Sequence, residues 1–213
     1  LYRNEKGQSI YRIGECNANK IRGDKLNKLK GNLPNALTLT NLSLGVMAIL
    51  FAVNDTGGAE SGNVGLLIPA SLLVIIAALT DRFDGKVARM FNATSELGKE
   101  LDSLSDLISF GVAPIIIAWK ICFTQFGIIG YIVTLIFPMA GAYRLARYNI
   151  TKFNNVYCGI PITIAGAFLT VVSLYNAFSI MRGGFTQMHT YVTAVLILLL
   201  SYLMVSKISF KKI

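Results

Sequence analysis

Four aspartates at the junction of two apolar runs constrain this 213-residue chain more than any other feature. Asp81 follows directly on the run 64–80, Asp106 directly precedes the run 107–119, and Asp84 and Asp102 lie between them. An ionised Asp at the centre of a membrane helix costs roughly 2.5–3.5 kcal/mol on insertion scales, and less near the interface. Four of them together need compensating positive charge, and a bound divalent cation is the simplest source. At about 100° per residue, Asp84 falls near the face of Asp81, with Gly85, Ala88 and Arg89 on the same side. Gly98, Asp102 and Asp106 stand at i, i+4 and i+8 and form one stripe. The polar link between the runs (Asn92, Thr94, Ser95, Glu96) is short enough for an antiparallel helical hairpin, so each helix turns two carboxylates toward the other. Gly85, Ala88 and Gly98 let the helices or a substrate approach closely. The ligand set Asp81, Asp84, Asp102 and Asp106 is all oxygen, which suits Mg²⁺, Mn²⁺ or Ca²⁺ rather than zinc. The competing reading is two polar helix ends carrying solvated aspartates.

Composition fits an all-α integral membrane protein. The chain is 54% hydrophobic with a mean hydropathy of +0.56, too apolar over too many long runs for a soluble domain. Its formal charge of +9 comes from Lys and Arg beside the apolar runs, a pattern of topology and anionic lipid headgroups rather than of a nucleic-acid partner. Cys16, Cys122 and Cys158 are isolated, which argues against a disulfide framework or a zinc site. His189 has no metal partners in sequence and reads as a loop or interface residue. The first apolar run comes too late and is too long for a cleavable signal peptide, so none is expected.

About six transmembrane helices are expected, preceded by a cytoplasmic arm over residues 1–31 with a short amphipathic segment near Lys20–Lys30. The membrane domain covers 32–213. Pro34 suits the first turn of the first span, which runs through Val53. Asn35, Thr38 and Asn41 make a polar stripe on it, read as cavity lining because it begins at the end where the carboxylates lie; interhelical contact is the other reading. The second span runs over 64–80 and continues as a helix to about Met90. The third runs from Gly98 to Ile121 with a kink at Pro114, the fourth over about Phe126–Arg147, the fifth from Cys158-Gly159-Ile160-Pro161 to near Met181, and the last over about Tyr191–Val205. Basic residues crowd the N-terminal arm, the links after the second and fourth spans, and the C-terminus. Both termini and the carboxylates are therefore expected on the cytoplasmic side of the cell membrane.

The pattern Asp81-x-x-Asp84-Gly85-x-x-Ala88-Arg89, eight residues, Gly98-x-x-x-Asp102-x-x-x-Asp106 resembles the signature of the CDP-alcohol phosphotransferase family, membrane enzymes of phospholipid synthesis, at every defining position. Further stretches resemble the branch of Gram-positive and archaeal-type phosphatidylserine synthases: Leu33-Pro-Asn35 with Asn41, Phe110-Gly-Val-Ala-Pro114, Arg144-Leu-Ala-Arg147-Tyr-Asn149, Gly159-Ile-Pro161 and Ser201–Lys207. The resemblance implies CDP-diacylglycerol and L-serine as substrates, Mg²⁺ or Mn²⁺ as cofactor, and a homodimer. It implies that Asp84, Gly85, Ala88, Arg89 and Gly98 help hold the CDP-lipid, to which we add Asn35 and Thr38 from the polar stripe. It also implies the general-base role for Asp106, which the position of that residue on the stripe independently suits. Arg144 and Arg147, one turn apart, suit a serine carboxylate, and Asn149 could add a hydrogen bond. A glycerol-phosphate or inositol-phosphate acceptor would want arginines too, and remains the alternative within the family; a cation transporter is the distant one.

Overall fold

The computed structural model describes residues 35–57, 64–90, 96–150, 157–206 and 209–210, with side chains for all of these except 84–90, 157–158 and 209–210. The expected amphipathic segment and the arm over 1–31 lie outside the described residues. Among the described residues, six helices run up and down: α1 (Asn35–Asn54), α2 (Leu67–Met90), α3 (Glu96–Cys122), α4 (Thr124–Ile150), α5 (Ile162–Met181) and α6 (Gln187–Val205). A two-residue antiparallel pairing joins β1 (Tyr157–Cys158) to β2 (Ser209–Phe210).

Five of the six helices are long and apolar enough to cross a membrane. The exception is α2. It has 24 residues, but charge enters at Asp81, after only the 14 residues of 67–80. At about 1.5 Å per residue those 14 cover about 21 Å of a hydrocarbon core about 30 Å thick. The helix continues past these residues to Met90, as expected.

Packing follows one spacing. Buried positions recur three and four apart: Thr38, Asn41, Gly45, Ala48 and Ala52 in α1; Leu67, Ala70, Val74 and Ala77 in α2; Thr190, Thr193, Ile197, Leu200 and Met204 in α6. Small residues dominate the α1 stripe because lipid supplies no hydrophobic drive between helices, so close backbone approach carries the association. The axis of the bundle is α3, whose apolar window is 56% buried against 22–44% in the other four spans.

The middle of α3 is irregular where Pro114 leads the sequence to expect it, and the form is a π-helical turn over Leu107–Val112. Proline has no N–H to give the carbonyl of Phe110, and its ring crowds that carbonyl; a wider turn before it relieves the clash. Two glycines from other helices press on the same turn. A Cβ at Gly166 of α5 would stand 2.8 Å from the Phe110 Cα, and one at Gly45 of α1 would stand 2.8 Å from the Ser109 Cα. Helix α6 starts four residues earlier than expected, because the His189 ring caps it: Nδ1 accepts the Thr186 N–H at 3.2 Å, and the ring stacks on Phe185 at 5.3 Å.

Gly166→Ala should cost about 1–3 kcal/mol of stability through overpacking against Phe110. The loss should show as a lower melting temperature in detergent. Gly184→Ala, where the nearest atom lies 3.9 Å away, should leave it unchanged.

Candidate active site

The start of α1, the second half of α2, the start of α3, the end of α4, the start of α5 and the end of α6 share one end of the bundle, and cross-links hold them there. Ser105 Oγ donates to the Thr38 carbonyl at 3.1 Å and Ser109 Oγ to the Asn41 carbonyl at 3.0 Å, tying α3 to α1. The Ile160 N–H reaches the Leu203 carbonyl, and Gly159, at φ +80°, lies against the Met204 carbonyl where any side chain would collide.

Three of the four sequence aspartates meet at this end. One carboxylate oxygen from each of Asp81, Asp102 and Asp106 lies within 4.8 Å of the other two, all three side chains being half-buried. Asp81 stands four residues after Ala77 and so continues the buried stripe of α2, while Asp102 and Asp106 are one turn apart on α3. The Asp81 and Asp106 carboxyls are within hydrogen-bonding reach of each other. Oxygens on either side of one ion are separated by at most twice the metal–oxygen distance, about 4.2 Å for Mg²⁺ and about 5 Å for Ca²⁺. The cluster therefore fits a hard divalent cation, with a small side-chain rotation for the smaller ion.

The remaining expected residues divide. The backbone of Asp84, Gly85, Ala88 and Arg89 belongs to α2, and their side chains lie outside the described residues. Gly98, half-buried in the first turn of α3, stands one turn before Asp102 on the acidic stripe. Asn35 is half-buried at the start of α1 and Thr38 is buried one turn on. The polar stripe of α1 faces α3, as the bonds from Ser105 and Ser109 require, so interhelical contact is part of its role.

Of the α4 residues, Arg144 is brought to the carboxylates. It is half-buried, and Asp106 is near enough to attract its guanidinium, with Tyr148 and Arg147 also in its surroundings. Arg147 instead donates from Nη1 to the Val205 carbonyl at 3.1 Å and lies over the Tyr143 ring at 6.0 Å, holding α4 to the end of α6. Asn149 Nδ2 reaches Ser103 Oγ at 3.2 Å and Glu100 Oε1 at 3.4 Å, holding α4 to α3. Sequence reasoning passed over Ser105 and Ser109. Their signal was the i, i+4 spacing on the flank of the Asp102–Asp106 stripe. It also passed over Asp55, at the opposite end, whose carboxylate takes the Gly57 and Leu66 N–H groups at 2.7 and 2.8 Å and so ties the end of α1 to the start of α2.

Asp102→Asn should weaken divalent-cation binding at least about tenfold, as read by calorimetry or Mn²⁺ resonance on the purified protein. Glu96→Gln, an exposed change outside the cluster, should leave it unaltered.

A sequence profile of the CDP-alcohol phosphatidyltransferase family matches residues 31–208. The chain is 37% identical over 187 residues to a CDP-diacylglycerol–serine O-phosphatidyltransferase of Helicobacter pylori, covering 84% of this chain and 73% of that protein. It is 36% identical over 143 residues to the protein of the same name in Bacillus subtilis, covering 66% of this chain and 73% of that protein. It is 32% identical over 184 residues to an archaetidylserine synthase of Methanothermobacter thermautotrophicus, covering 85% and 70%. With the acidic pattern gathered on two neighbouring helices and the profile spanning most of the sequence, the chain belongs to the CDP-alcohol phosphatidyltransferase family.

Proposed function

We propose that this protein is a divalent-cation-dependent CDP-diacylglycerol–serine O-phosphatidyltransferase, which moves a phosphatidyl group to the hydroxyl of L-serine and releases CMP. The observation that carries the reading is the meeting of Asp81, Asp102 and Asp106 with Arg144 beside Asp106, in a chain similar over most of its length to proteins of that name. Asp81, Asp102 and Asp106, with Asp84 as a fourth candidate, would hold Mg²⁺ or Mn²⁺. Such an ion supplies neutralisation of the pyrophosphate charge.

This chain's own groups do the rest. Asp106 accepts the proton of the serine hydroxyl as the new O–P bond forms at the lipid-side phosphorus, and the bond to CMP breaks in line. Arg144 holds the serine carboxylate, a fork-to-carboxylate match that a lysine would not reproduce. Arg147 and Asn149 hold the end of α4, and hence Arg144, in register with α6 and α3. Gly85, Ala88, Arg89 and Gly98, with Asn35 and Thr38, would receive the CDP-lipid, a role the family resemblance supports. The Lys and Arg excess in the links at this end supports a cytoplasmic site in the cell membrane, with both termini on that side. Family resemblance alone supports the homodimer.

An acceptor bearing a phosphate would also use Arg144, so the acceptor decides between this reading and a glycerol-phosphate or inositol-phosphate transferase. The family being one of transferases, the cation-transporter reading is set aside. Purified protein with CDP-diacylglycerol and Mn²⁺ should release CMP with L-serine and not with glycerol 3-phosphate or inositol phosphate; the opposite preference would overturn the serine assignment. Asp106→Asn should retain CDP-lipid binding while turnover falls about 10²–10⁴-fold.

A further inference from the structure

Asn41 presents an unusual combination. It is fully buried in α1, and neither Nδ2 nor Oδ1 has a hydrogen-bond partner among the described residues. A buried amide with both ends unsatisfied is costly, and within a membrane bundle no bulk water offsets the loss. The rest of the stripe shows what a purely structural position takes here: Gly45, Ala48 and Ala52. Nor does the amide hold α1 to α3, since the Asn41 backbone carbonyl does that through Ser109 Oγ at 3.0 Å. A ligand offering one donor and one acceptor would satisfy both ends of this amide.

Its position indicates which ligand. Ser109 is three residues beyond Asp106, so the contact fixes Asn41 about one turn deeper than the proposed base. A second buried atom lacking a partner among the described residues, Arg144 Nε, belongs to the guanidinium attracted to Asp106 from α4. On the proposed serine reading, Asp106 takes the acceptor's hydroxyl and Arg144 its carboxylate. With Asp81 and Asp102 taken up by the cation, the ammonium group is left without an acceptor. An amide offers Oδ1 to an ammonium and Nδ2 to a carboxylate oxygen at once, a pairing suited to an α-amino acid and not to a sugar or glycerol phosphate.

We propose that Asn41 is a specificity-determining residue of the acceptor site, binding the amino and carboxylate groups of serine. The proposal rests on the serine-transferase reading, and the experiment separates the two. CMP release is measured against serine and against CDP-diacylglycerol for the wild type, Asn41→Leu and Asn41→Ala, together with melting temperatures. Asn41→Leu should leave the melting temperature equal or higher, because an apolar side chain of similar volume replaces an unsatisfied amide. It should raise the KM for serine at least tenfold, with the KM for CDP-diacylglycerol within twofold of wild type. Should Leu overpack and lower the melting temperature, Asn41→Ala removes the same two atoms without adding volume, and the same split in KM is expected. A wild type active with serine whose Leu and Ala variants keep its serine KM would overturn the role of Asn41 alone. A wild type that releases CMP only with another alcohol would overturn the serine reading, and this proposal with it.

Discussion

Repulsion among Asp81, Asp102 and Asp106 is the force the rest of the molecule has to contain. At separations up to 4.8 Å and an effective dielectric constant of about 20, each ionised pair repels by about 3–4 kcal/mol. Three such pairs come to about 10 kcal/mol, comparable with the whole stability of a small domain. Packing alone is a poor answer to a force of that size, and a divalent cation or shared protons answer it directly. What packing supplies is direction. The stripe that buries Leu67, Ala70, Val74 and Ala77 ends on Asp81, so the contacts that seat α2 also aim its carboxylate at α3.

Helix α3 then has to stay still, and its neighbours grip it by backbone rather than by bulk. Gly45 and Gly166 allow α1 and α5 to lie against the π-helical turn that begins one residue after Asp106. The turn exists because Pro114 withholds an N–H from Phe110, and the freed carbonyl is met by the backbone of α5 instead of by lipid. A hydroxyl ladder, Ser105 to Thr38 and Ser109 to Asn41, locks the rotation of α3 on its other flank. Removing the bulk at Gly45 and Gly166 and adding hydroxyls at 105 and 109 are two ways of fixing one quantity, the angle at which Asp102 and Asp106 leave the helix.

Much of this was legible in the sequence, because it is written in spacing. Two residues three or four apart share a helical face whatever surrounds them, so the acidic stripe and the six helices among the described residues followed from periodicity, while the link expected to close the hairpin lies outside the described residues. The match to a family pattern carried the chemistry further than spacing could. What stayed hidden depends on partners far away in the chain. Arg144 and Arg147 look alike in sequence, one turn apart; only the place where α6 ends decides that Arg147 spends its guanidinium on the Val205 carbonyl while Arg144 faces Asp106. Asn149 is turned to α3 in the same way. Pro114 announced an irregularity without saying whether it would be a bend or a widened turn, since that choice rests on the glycine opposite it. Asp55 resembled any loop acid until two backbone N–H groups closed on it.

The short uncharged stretch of α2 has a mechanical consequence. The charge-free stretches of α2 (67–80) and of α3 (107–119) each cover only about 20 Å of a hydrocarbon core about 30 Å thick, so a leaflet over the acidic end would dip or admit water along this pair. A small hydrophilic molecule and the head of an embedded lipid can then come together in the notch, neither one leaving its own phase. The depth of that notch is set by how thick the surrounding sheet of lipid is, which couples the protein's working end to the physical state of its solvent.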